Sequence, residues 1–139
     1  MRVLIRQSTA AVLLLGSVTV LAASTTEPVS GLPLAPGLTK TGDPIRSYTF
    51  CGKNARRVIY LAVDSQDIER EFSWYSERMP HAVVFTAASG FKTLITPDGT
   101  AAVELRGDFI PFLHFSPGLS PTEMKILGAD PTAVTCKAD

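Results

Sequence analysis

Two cysteines, Cys51 and Cys136, stand 85 positions apart and enclose nearly all of the chain that carries a regular hydrophobic period. An even pair in an oxidising compartment reads as a disulfide, and the loop it closes spans almost the whole of any domain formed here. The chain-entropy treatment assigns about 4 to 5 kcal/mol to closing such a loop, part of which native strain takes back. No CxxC motif accompanies the pair, so its expected role is structural.

The compartment follows from the first 23 residues. Met1 to Arg6 carries two arginines and no acid, Ala10 to Leu21 is apolar, and Val20-Leu21-Ala22-Ala23 offers small residues for cleavage. That pattern is a secretory signal peptide, and an apolar run this short falls well below the roughly 20 residues that a spanning helix needs. Cleavage is expected to leave Ala23 or Ser24 as the first residue. No cysteine follows to carry a lipid, so the expected product is a periplasmic or extracellular protein without a stable membrane anchor.

Composition excludes two function classes. The 139 residues are 45% hydrophobic and 19% charged, too apolar for a disordered chain. Losing Arg2 and Arg6 from 13 basic residues leaves 11 against 13 acidic ones, a net charge of −2, which does not suit nucleic acid or an anionic membrane. Length allows one domain.

Residues 24–45 are rich in Thr, Ser, Pro and Gly, with isolated apolar residues as in Leu32-Pro33-Leu34-Ala35-Pro36-Gly37. They read as a flexible tether ahead of a single domain at 46–139. Arg57 to Val63 is a continuous β-prone run suited to a strand buried on both faces. Asp64 or Ser65 can cap a following helix, in which Ile68, Phe72, Tyr75 and Met79 recur on one face and which Pro80 stops. Trp74 falls at the edge of that stripe, where a large ring is a partly buried flank or a contact residue.

Beyond Pro80 the period becomes strand-like. His81 to Thr86, Phe91 to Thr96, Thr100 to Arg106 and Ile110 to Ser116 are separated by Ser89-Gly90, Pro97-Asp98-Gly99 and Gly107-Asp108, the pattern of an antiparallel meander. Alternation in the third of these strands puts Ala101, Val103 and Leu105 toward a core, and Ala102, Glu104 and Arg106 toward water. Ser120-Pro121-Thr122-Glu123 is a capping box with proline at the first helical position, opening a short helix that ends at Gly128. The expected fold is α+β: a mostly antiparallel sheet of about five strands, one longer helix packed on a face, a short C-terminal helix and one disulfide.

Candidate chemistry is sparse. His81 and His114 are the only histidines, and no HExxH, Cys/His cluster or Gly-x-Ser-x-Gly elbow accompanies them, so no metal or cofactor is expected. Asp64, Asp67, Glu69 and Glu71 could pair as acid and base, yet acids near a helix N-terminus are explained by the helix dipole. Lys53, Arg56 and Arg57 without interleaved aromatics make a poor nucleic-acid site. Arg106-Gly107-Asp108, an adhesive tripeptide elsewhere, is also what a tight turn asks for. Asn54 begins no glycosylation sequon.

The expectation is therefore an exported binding module, an inhibitor or immunity-type partner of another envelope or secreted protein. Its candidate surface is Phe112, Leu113, Phe115 and Leu119, with Trp74 as a second contact, because apolar residues on both parities of Ile110 to Phe115 suggest an open face. A small hydrolase using His114 or His81 with a carboxylate, or a passive envelope component, are the alternatives.

Overall fold

The computed structural model describes residues 25–42, 44–64, 67–130 and 136, and the expected signal peptide at 1–23 lies outside them. Seven strands are present among the described residues: β1 (Leu38–Lys40), β2 (Arg46–Phe50), β3 (Lys53–Ala62), β4 (Val83–Thr86), β5 (Lys92–Ile95), β6 (Ala101–Leu105) and β7 (Phe109–Ser116). Helix α1 (Ile68–Arg78) follows β3, and α2 (Pro121–Ala129) follows β7.

All strand pairs are antiparallel, in the order β1-β3-β7-β6-β5-β4, with β2 also on β3. The meander β4 to β7 is the one expected from the turn residues. The structure has two strands more than expected, β1 and β2, which lie end to end along one edge of β3. Neither is legible as a strand, since β1 has three residues inside a Pro- and Gly-rich stretch and β2 has only Tyr48 and Phe50 on its inner parity. β3 pairs with β7 from Asn54↔Ser116 to Leu61↔Phe109, so three strands separate it from β4, and α1 carries the chain across the sheet between them.

Each face of the sheet is covered. On one, Ile68, Phe72 and Tyr75 of α1 and its C-cap Met79 pack over Val58, Tyr60, Leu94, Val103, Leu105, Ile110 and Phe112. Phe112 sits centrally there, with ring centroids 5.3 Å from Tyr60 and 6.4 Å from Tyr75. On the other face, Leu119 and Met124 and Leu127 of α2 cover Ala55, Ile95, Ala102, Leu113 and Phe115, with Phe50 5.7 Å from Phe115 between ring centroids. Cys51, in the β2–β3 turn, is bonded to Cys136 beside this second core.

The helix ends follow local rules. Asp67, rather than Asp64, caps α1 by accepting from the Glu69 amide at 2.9 Å; Ser65 lies outside the described residues. In α2, Ser120 and Glu123 form the capping box and Pro121 starts the helix. The β5–β6 turn meets the segment leading into α2 at Gly99 (φ +71°), whose carbonyl accepts the Leu119 amide at 2.9 Å. A Cβ at Gly99 would collide with the Leu119 backbone, which is why glycine stands there.

The segment expected to be a tether is packed. Thr26 bridges Pro33, and the Glu27 amide donates to the Leu32 carbonyl at 2.8 Å. Val29, Leu32 and Ala35 are buried in the α1 core. Glu27 closes the turn, accepting from the amides of Val29 at 3.0 Å and Ser30 at 2.6 Å. The core thus reaches back to Glu27, well before residue 46. Three apolar residues spaced by three bury this loop without any regular period to announce it.

Candidate functional site

β1 pairs with the end of β3, Leu38 opposite Ala62, and that register brings the Ala35-Pro36-Gly37 loop beside Val63 and Asp64. The Val63 amide donates to the Gly37 carbonyl at 3.1 Å. From the other side, the Tyr75 hydroxyl of α1 accepts the Ala35 amide at 3.4 Å. Tyr75 is fully buried, and burial raises the pKa of its phenol, so the hydroxyl stays neutral and holds the loop against the helix.

Between that loop and the first turns of α1 lies a cleft of about 390 Å³, walled by Trp74 and lined by Asp64, Arg70 and Glu71. Arg70 is turned to the rim, where its Nη2 donates to the Asp64 carbonyl oxygen at 3.1 Å. The indole of Trp74 already carries the Arg78 guanidinium 4.1 Å from its ring centroid. Glu71 is only 7% exposed, and its carboxylate has no hydrogen-bond or ion-pair partner among the described residues. What exposure it has opens onto the cleft. With no partner of its own among the described residues, that carboxylate is available to a group entering the adjoining cavity.

The residues singled out from the sequence divide sharply. Trp74 lines the cleft. Phe112, Leu113, Phe115 and Leu119 are all 4% exposed or less, Phe112 in the α1 core and the other three in the α2 core. The face of β7 expected to be open is therefore covered on both sides, and these four residues form no free surface. Apolar residues on both parities reflected two cores rather than one core and one contact face.

Neither histidine is joined to a carboxylate by a hydrogen bond or ion pair among the described residues. His114, half-buried on β7, stands opposite Arg56 and Ala101. His81 borders a second, mostly apolar cavity of about 280 Å³ with Met79, Pro80 and Leu32. No group of three or more His, Cys, Asp or Glu that could hold a metal ion occurs among the described residues. The basic trio is dispersed: Lys53 donates to the Gly118 carbonyl at 3.1 Å, and Arg56 and Arg57 alternate between opposite faces of β3. In the β6–β7 turn, the Arg106 side chain folds back toward Glu104 instead of presenting the tripeptide outward.

Glu104 is the second group that alternation misplaces. Expected to face water, it is 1% exposed, because the parity of Ala102 and Glu104 faces the side of the sheet that α2 packs on. Burial raises its pKa to about 7, while Arg106 and Arg57 pull it down. Tyr48, near the same group, is raised to about 12 by burial and by the Glu104 charge.

Among the described residues no helix is long and apolar enough to cross a membrane. Comparison with protein-family models, with curated proteins and with solved structures found no match to this chain.

Proposed function

We propose that this chain is a small exported binding protein and that its ligand occupies the cleft between α1 and the Ala35–Gly37 loop. One observation carries the reading: Glu71, a nearly buried residue whose carboxylate has no partner among the described residues, borders a cavity of small-molecule size beside the Trp74 ring. Export is supported by the apolar stretch after Met1 to Arg6 and by the disulfide, which persists in oxidising compartments. An inhibitor or immunity-type protein would use the same cleft to hold one side chain of its target.

Trp74 is the only tryptophan, so its emission reports on this cleft alone. Protein beginning at Ser24 is titrated with the dialysable fraction of the medium in which its source grows. A saturable change in emission, absent from Glu71→Ala at an unchanged melting temperature, is the expected result. No saturable change would count against the cleft as a binding site.

A further inference from the structure

We propose that the cleft selects an organic cation: a primary ammonium or guanidinium on a short apolar stem, the head at Glu71 and the stem against Trp74. This rests on the cleft being the binding site. Two carboxylates, Glu71 and Asp64, line it against one cation, Arg70, whose guanidinium is held at the rim by the Asp64 carbonyl. An anionic guest would gain Arg70 but would lie in a space bordered by both carboxylates. A neutral guest would displace water from Glu71 and leave its charge unpaired, and an anionic guest would add like-charge repulsion to the same loss. A cationic head pairs Glu71 where solvent is already largely excluded, and charge-assisted hydrogen bonds are the strong ones.

The stem has its own reason. Trp74 supplies an apolar wall, and its indole already holds the Arg78 guanidinium at 4.1 Å, a precedent within this molecule for a cation beside that ring. A cavity of about 390 Å³ admits an alkylamine or one lysine or arginine side chain. Both sources share the same head and stem.

Three probes of equal chain length and different charge separate the possibilities: pentylammonium, pentanoate and pentanol, each followed by Trp74 emission at neutral pH. Pentylammonium is expected to bind tightest of the three. Glu71→Gln, which keeps the shape and removes the charge, should weaken it at least about tenfold and abolish discrimination among the probes. Asp64→Asn, on an exposed residue, should weaken it by a smaller factor at an unchanged melting temperature. Nα-acetyl-lysine amide then distinguishes the sources: tighter binding than pentylammonium assigns a peptide side chain, weaker binding assigns a free amine, and either supports a cation site. Equal or tighter binding of pentanoate or pentanol overturns the cation while leaving the cleft as a site. Silence from all three probes and from the medium fraction overturns the cleft itself.

Discussion

Glu104 Oε2 lies 3.3 Å from Arg106 Nε, an ion pair between residues two apart on one edge of the β6–β7 hairpin. The pair is incomplete, because Glu104 Oε1 and the Arg106 Nε and Nη2 have no hydrogen-bond partner among the described residues. Arg57 from β3, Tyr48 from β2 and Thr93, opposite Glu104 on β5, complete its surroundings.

That arrangement makes stability depend on pH. The folded pKa of about 7 lies above the ordinary 4.5, so between these values the native state holds a proton that the unfolded chain has released. Stability from this group is full below about pH 4.5 and falls as pH rises through 7, by an amount of order 3 kcal/mol. Urea unfolding from about pH 5 to about pH 8 should show the loss in the wild type. Glu104→Gln should remove this part of the pH dependence and be the more stable protein at the alkaline end.

The disulfide carries a second prediction. Cys51 sits in the β2–β3 turn and Cys136 lies six residues past the C-cap of α2, Asp130, so the bond fastens the end of the chain to the sheet edge. The double variant Cys51→Ser/Cys136→Ser should lose about 2 to 5 kcal/mol in chemical denaturation. An unchanged midpoint and slope would mean that the bond contributes nothing.

Phe112 and Leu113 are neighbours on β7 that point into different cores. Phe112→Asp and Leu113→Asp should therefore both unfold the protein, each by more than about 3 kcal/mol, since each buries an unpaired charge. Circular dichroism decides it. A folded Leu113→Asp protein would show that the α2 face is open after all.

The N-terminal loop yields a fourth. Leu32→Ala should cost about 2 to 4 kcal/mol, the usual range for a buried leucine in a packed core. Limited proteolysis should spare the loop from Glu27 to Leu38, and cleavage between Leu32 and Leu38 in the native protein would contradict the packing described.

What the sequence discloses is whatever a period or a cap encodes. Glycines 90, 99 and 107 mark the meander turns, Ser120 and Glu123 mark the start of α2, and the spacing of Ile68, Phe72, Tyr75 and Met79 marks the buried side of α1. Alternation says which residues share a face, but not whether that face meets water or a second layer. Alternation alone therefore sends Glu104 toward water and leaves β7 an open side, where the molecule has a second layer. Trp74 stood out by size. Glu71 did not, because Asp64, Asp67 and Glu69 around it suit a helix N-terminus equally well. Its signal was positional: it precedes the buried Tyr75 by four residues, which places a carboxylate on the packed side of the helix.

An amide correlation spectrum recorded during a pentylammonium titration locates the bound cation directly. Binding of the cation in the cleft should centre the perturbations on the Trp74 indole N–H, on Arg70 and Glu71, and on the amides of Ala35 and Gly37, with those of Met124 and Leu127 unmoved. Perturbations centred on α2 and β7, or none at saturating amine, would contradict it.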